Sequence, residues 1–290
     1  MKRLTALLLT GCLLLNGCTA PRQHYEMRQD LGIYFTNADA VTLQLREAMR
    51  RRDWQITISY QSHRDNMEEL GTIVRELMEQ ALSETDSPEE GDYLRHQYGG
   101  YELQYTSRWE GDACHYEVRL RPQYYTTAAQ EEQVTACVRE LLDSFGFDSR
   151  TSDAEKVRTI YDYVVTHVRY DEIHAKNPQH HLKTTAYAAL VQKQAVCQGY
   201  AVLLYRLLRE AGISARVITG TANGEYHAWN IVCLDGLYYN LDATWDSRSQ
   251  TSDWFLLPDA DFTDHIRDAA YADAAFYAAY PMGEQRYPLT

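Results

Sequence analysis

Apolar residues recur along the first half of the chain at two periods. Val41, Leu45, Ala48 and Met49 share one helical face before Arg52, with Asn37 or Asp39 available as the cap. Leu70, Ile73, Val74, Leu77, Met78 and Leu82 repeat that spacing and predict a second helix from about Asn66 to Leu82. Strand signals interleave with these. Ile33 to Thr36 is a short apolar run, and Trp54, Ile56, Ile58 and Tyr60 alternate with polar neighbours, the period of a half-buried strand. Ser83 to Gly91 is polar and contains Pro88, so it predicts a loop. Tyr101–Trp109 and Cys114–Arg121 flank Glu110-Gly111-Asp112 as a hairpin, and a helix from about Ala128 to Phe145 stops at Gly146.

These elements make a small α/β module over residues 31–148. Its charged and aromatic side chains converge on no nameable chemistry, so a scaffold or substrate-docking role is expected. A new domain, 149–290, opens on Ser152-Asp153-Ala154-Glu155, a capping box followed by the apolar stripe Val157, Ile160, Tyr161, Val164 and Val165. A length of 290 residues fits this division into two domains, each able to bury a core.

The N-terminus reads as an address. Met1-Lys2-Arg3 is basic and Leu4 to Leu15 carries no charge, the layout of an export signal, too short for the roughly 20 apolar residues of a membrane span. Leu15-Asn16-Gly17-Cys18 resembles the lipobox of bacterial lipoproteins. It is a better match than the one ending at Cys12, which would leave Leu13-Leu14-Leu15 on the mature chain. The resemblance implies a signal peptide over 1–17, acylation of Cys18, a polar tether over 18–30, and a protein held by lipid at the extracytoplasmic face of a bacterial membrane. Loss of Lys2 and Arg3 deepens a net charge that is already −13, and no basic stripe offsets it, which disfavours nucleic acid as a partner. Cys114, Cys137, Cys197 and Cys233 form no compact framework or C-x-x-C pair. No obligatory disulfide is expected, and Cys114–Cys137 is the one pairing to check. His174, His180 and His181 fall in one loop. Read as lacking a carboxylate or Cys at ligand spacing, they are exposed loop histidines, and no metal site is assigned.

Chemistry concentrates further on. Cys197 opens a helical run containing Leu204, Leu208 and Ala211 and closed by Gly212. Free N–H groups and the helix dipole at such a start favour a thiolate. A Cys there also packs as a small hydrophobe, and the segment alone does not decide between the two. Tyr226–Leu234 and Leu237–Asp242 are strand-like runs around Asp235-Gly236, a two-residue hairpin turn signal. That turn sets Leu234 opposite Leu237 and Trp229 opposite Asp242. His227 and Asp242 then become diagonal neighbours on one face, about 7–8 Å apart at Cα and within side-chain reach. An Asp-oriented His can take a proton from a thiol and return it to a leaving amine.

Cys197-Gln198-Gly199-Tyr200-Ala201, then His227-Ala228-Trp229-Asn230, then Asp235 to Asp246 with Leu241-Asp242-Ala243-Thr244-Trp245-Asp246, together resemble the transglutaminase-like superfamily of papain-type cysteine enzymes, in its bacterial lipoprotein form. The resemblance covers about Ser152 to the C-terminus. It implies an α+β fold in which the Cys-bearing helix packs on an antiparallel sheet carrying His and Asp. It also implies Cys197 as nucleophile, His227 as general base and acid, and Asp242 as orienter. Gln198, Trp229, Trp245 and Asp246 become walls and supports of the cleft. The Cys197 N–H is one oxyanion donor. The Gln found six residues before the Cys in papain-type enzymes is Val191 here, and Tyr187 is the residue favoured as second donor. The implied reaction is thiolate attack on an amide of a protein or cell-wall peptide. Water as acceptor makes a peptidase or amidase and a Lys amine makes a cross-linker, while a non-catalytic surface-binding module is the competing class. No cofactor is implied, and no clustered oxygen ligands for calcium can be assigned.

Overall fold

The computed structural model describes residues 33–34 and 38–288 apart from 64 and 66; the expected signal peptide, Cys18 and the tether lie outside them. The N-terminal half contains β1 (Ile33–Tyr34), α1 (Ala38–Arg50), β2 (Ile56–Ser62), α2 (Leu70–Ala81), α3 (Asp92–Arg95), β3 (Tyr98–Glu110), β4 (Ala113–Tyr124) and α4 (Ala128–Phe145). Its antiparallel sheet has the order β1-β2-β4-β3. The strict buried–exposed alternation of β2 places Ile56, Ile58 and Tyr60 under α1 and α2, against Leu45, Met49, Leu70 and Leu77. Helix α2 starts at Leu70, later than the apolar spacing alone predicts, with Glu69 at its N-cap making no side-chain cap bond.

Helix α4 is set by Thr127 and Gln130, which bond reciprocally as a capping box, and it is closed by Gly146 in the left-handed region. The sequence groups this helix with the N-terminal module. Its buried residues Val134 and Val138, together with Tyr93 of α3, instead join the core of the C-terminal half. No period in the sequence marks this, because an amphipathic helix shows a stripe without showing which core the stripe meets.

The C-terminal half runs α5 (Asp153–His167), β5 (Arg169–Tyr170), α6 (Ala186–Leu190), β6 (Gln194–Ala195), α7 (Cys197–Glu210), β7 (Ala215–Ala222), β8 (Glu225–Leu234), β9 (Leu237–Leu241), α8 (Ala243–Ser249), β10 (Phe255–Leu257), β11 (His265–Arg267) and α9 (Ala274–Ala279). It is a mixed α+β fold. Five antiparallel strands take the order β10-β9-β8-β7-β11. Helix α7 is buried from Tyr200 to Leu208 and packs in one core with Val217 and Val232. Ile218, Trp229, Ile231 and Tyr238 form a separate core with Leu257, Phe262, Phe276 and Tyr280 from the C-terminal segment. Strand β7 is buried at six of its eight positions and shows no alternation, which is why the sequence pattern does not reveal it.

A polar seam joins the two halves. Arg216 of β7 donates to both oxygens of the fully buried Asp92. Gln198 Nε2 donates to the His96 carbonyl at 2.6 Å, and Gln97 Oε1 accepts the Ala186 N–H at 3.1 Å. The residue after Cys197 is therefore tied directly to the N-terminal half. Cys114 lies in the N-terminal core and Cys137 against the C-terminal one; among the described residues these two, Cys197 and Cys233 form no disulfide. Among the described residues, no helix is long and apolar enough to cross a membrane.

Candidate active site

Cys197 is the first residue of α7, with Val196 in extended conformation at the N-cap. Its N–H therefore belongs to the first helical turn, which has no intrahelical acceptor. The helix start is nested against the preceding chain, where the Val196 N–H donates to Lys183 O at 3.0 Å. A Cβ on Gly199 would stand 2.6 Å from the Ala195 Cβ and 2.9 Å from Lys183 O. The glycine two places after the Cys is what lets α7 begin so close to this segment.

The hairpin β8–β9 has the register its Asp235-Gly236 turn requires, with Leu234 opposite Leu237. Asp242 follows β9 and caps α8: Oδ1 accepts the N–H groups of Thr244 and Trp245 at 2.9 and 3.1 Å. Its other oxygen, Oδ2, lies 2.7 Å from His227 Nε2. That contact uses one ring nitrogen. Cys197 also acts on His227, favouring its charged form, so the imidazole is coupled to both the thiol and the carboxylate. Burial opposes a charge on His227, but Asp242 and then Cys197 outweigh it and raise its pKa to about 10. Burial likewise pushes the Asp242 carboxyl up, and the bonds from its two histidine neighbours more than reverse this, holding it down at about 2.

The second of those neighbours, His265, is absent from the sequence reading. Its Nε2 is 3.1 Å from the same Asp242 Oδ2, and its side chain is 0% exposed. It sits among aromatic rings, with centroids 3.9 Å from Phe262, 4.5 Å from Trp245, 5.0 Å from Trp229 and 5.2 Å from Trp254. The surrounding stretch offers no long strand period. His265 reaches the site only because β11 pairs with the far side of β7, His265 opposite Ala222.

The remaining sequence candidates divide by position. Trp229 is buried beneath the site with its Nε1 on Asn240 Oδ1 at 3.2 Å, and Trp245 lies 5.6 Å from the His227 ring. Asp246 is fully buried; it accepts the Tyr161 hydroxyl at 2.5 Å and the Trp254 N–H, which ties α8 to α5. Gln198 links the Tyr226 hydroxyl, at 3.2 Å, to the N-terminal half. Tyr187 lies on α6 with its ring against the C-terminal core, and the structure shows no hydrogen bond from it to Cys197.

The histidine loop needs one correction. Asp171, three residues before His174, is the carboxylate the loop was read as lacking, and its Oδ2 lies 2.8 Å from His174 Nδ1. His174 and His180 stack at 4.1 Å, so that Asp171, His174 and His180 gather ligand-type atoms within 4.8 Å. His181 is separate, stacked on Tyr125. His227, Asp242 and His265 form a second such group, in which the carboxylate already engages both rings.

Residues 144–243 match the transglutaminase-like superfamily. The superfamily's fold is that of cysteine hydrolases and acyltransferases. Kyphoscoliosis peptidase of Mus musculus is 30% identical over 133 residues, covering 41% of this chain and 20% of that protein. Its Homo sapiens counterpart is 32% identical over 129 residues, covering 40% and 19%. The chain thus spans about a fifth of the length of these relatives. Among solved structures, a TGase matches at 19% identity and TM-score 0.36, covering 49% of this chain and 44% of its own. A candidate cysteine protease from Cytophaga hutchinsonii matches at 16% identity and TM-score 0.29, covering 60% and 72%.

Proposed function

We propose that this chain is a lipid-anchored cysteine acyl-transfer enzyme on the extracytoplasmic face of a bacterial membrane, cutting amide bonds of proteins or cell-wall peptides. Cys197 is the nucleophile, His227 the general base and acid, and Asp242 the carboxylate that orients His227. The observation carrying this reading is the single imidazole that bonds Asp242 Oδ2 at 2.7 Å and whose charged form is favoured by Asp242 and Cys197 together. The sulfur adds to the amide carbonyl carbon and the Cys197 N–H meets the developing oxyanion. His227 then delivers its proton to the amine as the C–N bond breaks, leaving a thioester. Water, deprotonated by His227, attacks the thioester and releases the acid and the thiol. Anchoring rests on the basic start, the uncharged run and Cys18.

The test compares the purified chain with Cys197→Ala on a peptide library and a cell-wall digest, read by mass spectrometry. Cleavage by the first and none by the second is expected. Products carrying added amine in place of water would make it a cross-linker, with Tyr187→Phe then testing the second oxyanion donor in either case. Binding without turnover, together with equal slow alkylation of all thiols, would make it a surface-binding module. Fatty-acid labelling lost in Cys18→Ala is the expected result for the anchor.

A further inference from the structure

We propose that His265 is a positioning residue of this site, donating from Nε2–H to Asp242 Oδ2 so that the carboxylate stays ionised and aimed at His227; the proposal rests on the Cys197, His227 and Asp242 reading above. Asp242 Oδ1 is fully occupied by the Thr244 and Trp245 N–H groups of its own helix. Its Oδ2 is thereby left to the two imidazoles, at 2.7 and 3.1 Å. Without His265, Oδ2 would face the Trp245, Trp254 and Phe262 rings with one donor fewer in a site closed to water. A buried carboxylate short of donors gains a proton more readily and stops aligning its partner.

A carboxylate oxygen has no proton to give, so the contact requires the proton on His265 Nε2. Among the described residues the buried His265 Nδ1 has no hydrogen-bond partner, which suits a ring carrying one proton only. The titratable groups facing this ring are Asp242, His227 and Asp264. Burial lowers the His265 pKa, and Asp242 only partly opposes this, in accord with a neutral donor. His227, by contrast, carries the charge. One carboxylate thus holds a neutral ring and a charged ring on the same oxygen.

The fold spends a specific feature on delivering this ring. Strand β11 passes so close to β7 that a Cβ on Gly220 would lie 2.0 Å from the Ile266 carbonyl oxygen. Only a glycine at 220 allows the pairing that seats the neighbouring His265.

The test uses the rate of iodoacetamide labelling of Cys197 against pH, which needs no known substrate, in wild type, His265→Phe and His265→Gln. Phenylalanine keeps the ring packing and removes the donor, whereas the glutamine amide restores a donor near Nε2. His265→Phe is expected to slow labelling about tenfold or more at neutral pH and to move the acid limb of the profile upward, with His265→Gln recovering most of both. Unchanged labelling in His265→Phe, or equal loss in both variants while near-ultraviolet circular dichroism stays native, would overturn the proposal. Should His265→Phe fail to fold, imidazole nitrogen NMR of the wild type decides. A neutral Nε2–H tautomer at pH 7 supports the role; a charged ring or the Nδ1–H tautomer overturns it. If wild-type Cys197 is labelled no faster than Cys114, Cys137 and Cys233, and His227→Ala changes nothing, the underlying enzyme reading fails instead.

Discussion

Arg216 of β7 holds Asp92 of α3 by both oxygens, Nε at 2.7 Å and Nη2 at 3.0 Å, while Asp92 Oδ2 also accepts the Val217 N–H at 2.8 Å. This pair joins the N-terminal half to the strand beside the one carrying His227. Removing one member of a buried ion pair costs about 3–5 kcal/mol, because the other is left charged and unpaired. The two removals are not equivalent here, since Glu84 Oε1 lies 3.5 Å from Arg216 Nε. Asp92→Asn leaves Arg216 the Glu84 carboxyl, which is freed of the Asp92 charge and so ionises more readily. Arg216→Met leaves two carboxyl groups without a cation. Thermal unfolding is expected to show the larger loss in Arg216→Met, and equal losses would mean that Glu84 cannot take over.

Glu84 also gives the fold a pH dependence. Burial, then the charge of Asp92, raises its pKa to about 8. The folded chain keeps a proton that the unfolded chain releases above its ordinary value near 4.5, so this contribution is full below about 4.5 and is lost as pH rises through about 8. His96 works in the opposite sense, because burial lowers its pKa to about 4 and stability falls as pH drops below its ordinary value of about 6.5. Melting temperatures of Glu84→Gln minus those of wild type, measured from pH 5 to 9, cancel the His96 part. That difference should climb with pH; a flat line would show that Glu84 is ionised throughout.

For His227 the raised pKa of about 10 means that its charged form contributes stability fully below its ordinary value near 6.5, and that the contribution is lost as pH rises through about 10. Reactivity should follow the same group. His227→Ala is expected to reduce turnover by about 10²–10⁴-fold, the usual size of a general acid–base contribution, and to slow Cys197 alkylation at pH 7. Asp242 separates two roles. Asp242→Asn keeps an oxygen for the α8 cap but loses the charge that holds His227 protonated, so activity should fall and the melting temperature with it. Asp242→Ala should lose the same activity plus about 1 kcal/mol of cap. If both variants melt alike, the cap at α8 is not limiting.

How much of this was legible beforehand follows from how local each signal is. The capping boxes at Thr127 and Ser152 rest on residues three apart, and the Ser152 box is the one the sequence analysis names. The His227–Asp242 contact was legible because a two-residue turn fixes register and register fixes which side chains share a face. His265 was not, since its position depends on β11 crossing to the edge of β7, a pairing that no short-range pattern encodes. Asp171 stood beside His174 in plain view, but its role became visible only when the chain folded His180 back onto His174. The attachment of α4 to the C-terminal core was hidden for the same reason, a stripe being silent about its partner.

Two glycines test whether the site is assembled by close backbone approach. Gly199 lies inside α7, where Ala would improve helix propensity by about 0.5–1 kcal/mol. Yet its Cβ would meet the Lys183 carbonyl at 2.9 Å and the Thr185 carbonyl at 3.2 Å, both backbone atoms. Gly199→Ala should therefore lower both melting temperature and Cys197 alkylation rate, against the propensity; a rise in stability with unchanged reactivity would show that α7 does not depend on this nesting. Gly220→Ala acts at the opposite end of the site. Its Cβ cannot coexist with Ile266 O at 2.0 Å, so β11 must withdraw and take His265 from Asp242. The variant should reproduce the slowed labelling of His265→Phe, and the double variant should be no slower than either single one, because both remove the same contact. Additive losses would mean that Gly220 and His265 act on Cys197 by separate routes.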